Sequence, residues 1–188
     1  MKTLFTLLFL LTIVSATAQH PDDYRWDDRF GAPGIYFDAS SSTSTPIYTT
    51  SIDGDDIYVG GLFTSAGNNI AVWNQKSSKW RQLANGVNGK VRIIKIVGDD
   101  VYVGGTFSKA GDVDANNIAV WHKNSRQWSS LGKGVNGEVI SMEVFNGELH
   151  VGGVFTAAGD STVNKIARWT GTEWKSLGEG TECGVFYG

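Results

Sequence analysis

With 188 residues, a formal charge of −3, 41% hydrophobic residues and 24 glycines, the chain has room for one domain with a real core and not obviously for two. Its 19 acidic residues barely outnumber 16 basic ones, and neither sign gathers into a stripe, which argues against nucleic acid or an anionic membrane surface as partner. The single cysteine, Cys183, cannot form an internal bridge, so stability must come from packing.

In chain order, the first element is a leader. Lys2, an apolar stretch from Leu4 to Val14 and the small-residue site Ala16-Thr17-Ala18 form the pattern of a secretory signal peptide over residues 1–18, cut near Ala18. The mature chain then starts at Gln19 with a charge of −4. No later stretch approaches the roughly 20 apolar residues of a membrane helix, so the expectation is a secreted or cell-surface protein with no membrane span after processing. Residues 19–46 form an N-terminal segment. Within it, Trp26 to Gly34 (WDDRFGAPG) is similar to WRQLANG at residues 80–86, which ends a later unit. The segment at about 24–34 therefore reads as the outer strand of a blade whose other strands lie elsewhere.

From residue 47 the sequence repeats. DDIYVGGLFTSAG (Asp55 to Gly67) returns as DDVYVGGTFSKAG (Asp99 to Gly111) and as ELHVGGVFTAAG (Glu148 to Gly159). NIAVW at Asn69 and Asn117 becomes KIARW at Lys165, and each copy is followed by a second tryptophan, Trp80, Trp128 and Trp174. GVNGKV (Gly86 to Val91) and GVNGEV (Gly134 to Val139) lead into the next copy. The first glycines of the pairs, Gly60, Gly104 and Gly152, are spaced by 44 and then 48 residues, the extra four lying between Gly111 and Asn116 in a lengthened loop. Each unit holds four short runs rich in β-branched and aromatic residues and none with helical periodicity. In the second unit the strands are expected at Val91 to Val97, Val101 to Phe107, Ile118 to Trp121 and Trp128 to Leu131. The units span about 47–84, 91–132 and 139–178, with a fourth beginning at Val185. Asp53-Gly54 and Asn146-Gly147 suit type I′ hairpins, which need positive φ at both central residues.

Ile118 and Val120 alternate with Ala119 and Trp121, and Val101 and Val103 with Tyr102 and Gly104, so neither face of the sheet is built for water. Sheets shielded on both faces by copies of themselves are propeller blades. The predicted fold is therefore all-β: a β-propeller-like array of about three four-stranded antiparallel blades in an incomplete ring. The glycine pairs fit either the close approach of a backbone or a neighbouring tryptophan, or a β-bulge.

The series V-G-G-x-F-x-x-A-G, N-I-A-x-W and W-x-x-L-G-x-G-V-N-G-x-V, over about Ile47 to Leu177, resembles the β-propeller repeats of the fungal cortical cell-polarity marker family. It is also similar to those of bacterial secreted or cell-surface repeat proteins, many of which carry a C-terminal sorting domain. The resemblance implies a propeller and interaction at a cell surface, and it brings no catalytic residues. At the far end Thr181-Glu182-Cys183 replaces Val-Asn-Gly. Three units with two loose strands fall short of the usual four to eight blades, so the chain reads as a fragment or truncated product ahead of an obligate assembly.

Few residues suggest chemistry. Of His20, His122 and His150 only His150 is expected on a strand, as a packing residue at the position of Tyr58 and Tyr102. No spacing suggests zinc, no nucleophile elbow or Ser-His-Asp arrangement is evident, and GVNGKV lacks the lysine-serine pair and helix of a phosphate loop. Asp112, Asp114 and Asn116 alternate oxygens as calcium loops do, but Asn117 stands where such a loop needs glycine and Lys123 where it needs glutamate. Neither metal nor cofactor is expected. Asn116 reads as bonding local backbone, and Asn68, Asn116 and Asn164 as turn residues.

Topology puts the loop Asp112 to Asn117 and the connection Gly134 to Gly137 on one rim, where propellers commonly bind. Asp112, Asp114, Asn116, Asn136, Asp160 and Asn164 are therefore the candidate binding residues, for an extracellular protein or a glycan. Self-association through open blades is a further expectation. The leading functional reading is a non-enzymatic binding or scaffold module. The alternatives are a truncated product without independent function and a carbohydrate-active propeller, whose only candidate acids near an inner strand are Glu138 and Glu143, matched in the first unit by Thr45 and Thr50.

Overall fold

The computed structural model describes residues 46–64 and 67–178. The leader, His20, the segment Trp26 to Gly34, Thr45, Thr181 to Cys183 and the start of a fourth unit at Val185 lie outside the described residues. Three meandering antiparallel sheets follow one another. The first blade comprises β1 (Ile47–Asp53), β2 (Asp56–Gly61), β3 (Ile70–Asn74) and β4 (Lys79–Gln82). The second runs β5 (Lys90–Val97), β6 (Asp100–Thr106), a two-stranded ribbon of β7 (Lys109–Ala110) and β8 (Val113–Asp114), then β9 (Ile118–His122) and β10 (Gln127–Ser130). The third repeats this plan with β11 (Glu138–Phe145), β12 (Glu148–Val154), the ribbon β13 (Ala157–Ala158) and β14 (Ser161–Thr162), β15 (Ile166–Trp169) and β16 (Trp174–Ser176). The innermost strands β1, β5 and β11 are consecutive neighbours, and among the described residues the three blades form an incomplete ring.

Burial follows from that stacking. Ile118, Ala119, Val120 and Trp121 of the middle blade are all buried, because each face of that sheet has a blade against it. On the flanking blades the inner strands are barer: Ile52 is 70% exposed and Phe145 66%.

Three local expectations change. Gly54 has positive φ (57°) and Asp55 does not, so the first hairpin closes on Gly54-Asp55 between paired Asp53 and Asp56, with glycine in the first central position of a II′ turn. Asn146 (50°) and Gly147 (79°) do form the I′ pattern. The lengthened loop is a ribbon, β7 paired with β8, too short to register as strand alternation. The glycine pairs serve both suggested purposes. A Cβ on Gly104 would lie 2.5 Å from Val139 Cγ1 of the next blade, so a valine makes the close approach and not a tryptophan. The second glycine, Gly105, faces an irregularity in β5 between Val91 and Ile93. That bulge sends Val91 and Ile94 toward the first blade and Ile93 toward the third.

Tryptophans bolt the blades together. Trp128 Nε1 donates to the Leu83 carbonyl at 3.0 Å and Trp174 Nε1 to the Leu131 carbonyl at 2.7 Å, both buried and both directed at the preceding blade. Trp128→Phe leaves the Leu83 carbonyl without this donor, and a buried unsatisfied acceptor costs about 1–3 kcal/mol. The expected result is a lower urea midpoint for the variant at unchanged slope.

Candidate functional site

The rim expected from topology is built by hydrogen bonds between loop and connector. Val87 N–H donates to Asn68 O and Val135 N–H to Asn116 O, each at 3.0 Å. The next blade's ribbon then docks on the connector: Gly111 N–H reaches Gly86 O at 2.7 Å and Gly159 N–H reaches Gly134 O at 2.8 Å. Asn88 and Asn136 seal the junctions. Asn136 Oδ1 accepts from the N–H groups of Thr156 (2.8 Å) and Ala157 (2.9 Å), while Asn88 Oδ1 does the same for Ser108 and Lys109.

These junctions create two equivalent open troughs on one rim. The larger, about 410 Å³, runs over Asn116, Lys133, Gly134, Asn136 and Ala157, and the other, about 340 Å³, over Asn68, Asn85, Gly86, Asn88 and Lys109. A third hollow of about 350 Å³ lies on the flank of the third blade between Lys133, Asp160, Trp169 and Trp174.

The candidate residues divide among these features. Asn116 and Asn136 line one trough together. Asn116 Nδ2 donates to Lys133 O at 3.0 Å, seventeen residues on, so the bond is a bridge between loop and connector and not the local one expected. Asp160 borders the flank hollow and pairs with Lys133, and Asp114 pairs with Lys109 at 2.6 Å. Asp112 is exposed at the ribbon turn, and Asn164 is half-buried ahead of β15. Of the Asn series expected as turn residues, Asn68 has positive φ (42°), and the residue after each copy does too, at Asn69 (69°), Asn117 (64°) and Lys165 (65°). Lys133, Asn85 and Lys109 are trough residues that sequence reasoning missed, because they carry no motif.

Two readings of the histidines change. His122 lies on a strand, at the end of β9. Its Nδ1 is 2.6 Å from Asp100 Oδ1 and its Nε2 is 3.1 Å from Ser129 Oγ, so a Ser-His-Asp chain exists where none was evident. Its repeat counterparts explain it as a blade corner. In the first unit the matching acid, Asp56, is met by Asn74 Nδ2 (2.7 Å) and Arg81, and in the third Glu148 is met by Arg168. The three hollows are lined by none of the trio. His150 is half-buried with its ring edge-on to Phe145.

The inner-strand carboxylates are engaged in ion pairs. Glu138 Oε1 lies 2.7 Å from Lys90 Nζ and 3.4 Å from Arg92 Nε, and Glu143 pairs with Lys95. The Lys90 ammonium holds the Glu138 carboxyl below the ordinary carboxylate range against the opposing effect of burial. Lys95, aided by the Val144 N–H, does the same for Glu143. Among the described residues no three His, Cys, Asp or Glu side chains cluster as metal ligands do, and no helix is long and apolar enough to cross a membrane.

A family model described as the Rax2 C-terminal beta propeller domain matches residues 97–183, from the end of β5 to beyond the third blade. The repeats are thus of a propeller class resembling that of the fungal polarity marker. No curated protein matches the chain. Two solved structures of computationally designed proteins are similar to it. Ika8 is 16% identical with a TM-score of 0.44, over 65% of this chain and 32% of the designed one. Ika4 is 16% identical with a TM-score of 0.45, over 69% and 68%. The chain spans about a third of the length of Ika8.

Proposed function

We propose that this chain is a secreted or cell-surface scaffold without enzymatic activity, whose rim troughs take an extended polar ligand, a glycan chain or a polypeptide segment of an extracellular protein. The carrying observation is the pair of equivalent troughs, of about 410 and 340 Å³, opened on the same rim by consecutive blade junctions. Small-molecule sites are mostly apolar and enclosed, whereas these are open and edged by amides and a lysine each. Two such troughs on one rigid array favour a repeating ligand, since the second contact becomes intramolecular.

The carboxylates support the non-enzymatic reading. A glycosidase needs one acid that keeps its proton near neutrality, and Glu138 and Glu143 are both shifted the other way. A secretory leader and the fungal-marker resemblance are consistent with action outside the cell.

The test is titration calorimetry of the mature chain against soluble β-glucan, xylan, mannan and hyaluronan, with reducing ends assayed in parallel. Binding of at least one without cleavage is expected. The double variant Asn85→Ala, Lys133→Ala should weaken it at least about tenfold, one polar contact per trough, with unchanged melting, because both backbone acceptors in the rim remain. Release of reducing ends that Glu138→Gln abolishes overturns the proposal in favour of the enzyme.

A further inference from the structure

We infer that the hollow on the flank of the third blade is a saccharide site, in which an uncharged pyranose with equatorial hydroxyls lies on the open face of Trp169 while Asp160 and Glu173 accept its hydroxyls. It is separate from the rim troughs, touching the larger one at Lys133 and Gly159. Its floor is a tryptophan that two blades cover and the third bares. Trp73 is 8% and Trp121 3% exposed, whereas Trp169 at the same position is half-buried.

Turn length accounts for the difference. Six residues separate Trp73 from Trp80 and Trp121 from Trp128, but four, Thr170 to Glu173, separate Trp169 from Trp174. This third hairpin closes tightly, with Thr170 N–H donating to Glu173 O at 3.0 Å and a φ of 100° at Gly171. Where the longer turn is missing, a hollow of about 350 Å³ runs along Gly132, Asp160, Trp169, Thr172, Glu173 and Trp174. The platform is fixed before any ligand arrives. Trp174 holds the Trp169 ring at 5.3 Å and 52°, and Gly132 lies against its benzo edge, where a Cβ would come within 3.3 Å of Cζ3. Binding therefore has little to order, and ordering is where affinity is otherwise lost.

The polar edge selects the ligand. Asp160 lies 2.5 Å from Lys133 Nζ and Glu173 2.9 Å from Lys175 Nζ, so the charge of each carboxylate is already met, and among the described residues its second oxygen has no partner. A cation would face two ammoniums there, which offsets the attraction of the indole faces. A neutral ring with an apolar face and a hydroxyl edge meets no such opposition. Its C–H face takes indole surface out of water, and its hydroxyls donate to the carboxylate oxygens that the lysines leave over.

The test is a titration of the ¹⁵N-labelled mature chain with cellobiose, read at the indole N–H of Trp169, with tetramethylammonium as the comparison probe. Cellobiose should shift that signal saturably with a Kd of about 1 mM and leave those of Trp73 and Trp121 unmoved. Glu173→Ala and Asp160→Ala should each weaken binding about tenfold, one polar contact apiece, whereas Asn85→Ala, in the smaller trough, should not. Replacing residues 170–173 by the sequence of residues 122–127 restores the longer turn and should abolish the shift. If that graft upsets folding, the two carboxylate variants decide. Absence of a shift at tenfold the expected Kd overturns the inference. So does a shift with tetramethylammonium in place of cellobiose, or cellobiose binding that survives the longer turn. Polysaccharide bound at the troughs with no cellobiose shift at Trp169 would sink this site alone and leave the trough reading standing.

Discussion

Asn69→Ala is expected to destabilise the array by about 3–5 kcal/mol, the sum of two broken buried hydrogen bonds and a left-handed alanine. Asn69 is the buried polar residue of the described core, 7% exposed. Its Oδ1 accepts from the Phe63 N–H at 2.9 Å, and its Nδ2 donates to the Val87 carbonyl at 2.8 Å. One amide thus holds the end of its own blade and the connector that starts the next. Alanine would leave both backbone groups without that partner and would have to adopt φ near 69°. The third unit supplies the control. Lys165 keeps the same left-handed backbone (φ 65°) and the same bonds, from its N–H to Phe155 O and from Gly153 N–H to its carbonyl, with no amide to offer. Lys165→Ala should therefore cost no more than about 1 kcal/mol. Urea midpoints measure both. Equal shifts for the two variants would mean that the amide is not a clamp.

What could be read from the sequence depended on how far apart the cooperating residues lie. Strand order was legible because each unit repeats the same punctuation, and the strands expected in the second unit fall within a residue of β5, β6, β9 and β10. The shared rim was legible too, since in a meander the second-to-third loop and the exit connector leave from one end. Which atoms the rim asparagines commit was not, because Asn136 looks the same in sequence whether its amide faces a ligand or the Thr156 N–H. The Asp100, His122, Ser129 chain is assembled by strand pairing across 22 and 7 residues, with no motif spacing. The turn at Gly54 differed from expectation because aspartates flank Gly54 on both sides, and the pairing of Asp53 with Asp56 moves the central pair by one residue, to Gly54-Asp55.

The other large effect concerns Gly105→Ala, for which a loss of about 3 kcal/mol or more is expected, beyond ordinary overpacking because the obstacle is backbone. A Cβ at Gly105 would fall on the carbonyl oxygen of Lys90 and lie 3.0 Å from Arg92 N, both in the strand it pairs with. Neither atom can rotate away, and the register shift between Val91 and Ile93 is what brings them there. In a regular strand Val91 and Ile93 would share a face. With the bulge, Val91 joins Ile94 in the core against the first blade, while Ile93 serves the core against the third. A methyl at Gly105 therefore threatens both junctions from one position. Gly98→Ala is the matched control: φ is +56° there but nothing lies within 4 Å of its Cβ, so only the left-handed backbone contributes, about 1 kcal/mol. The two glycines sit at opposite ends of one hairpin, and with a slope of about 1–3 kcal/mol/M their urea midpoints should differ by roughly 1 M. If Gly105→Ala unfolds no earlier than Gly98→Ala, the inner strand tolerates losing its bulge, and the stacking of blades on Val91 and Ile93 is not set by it.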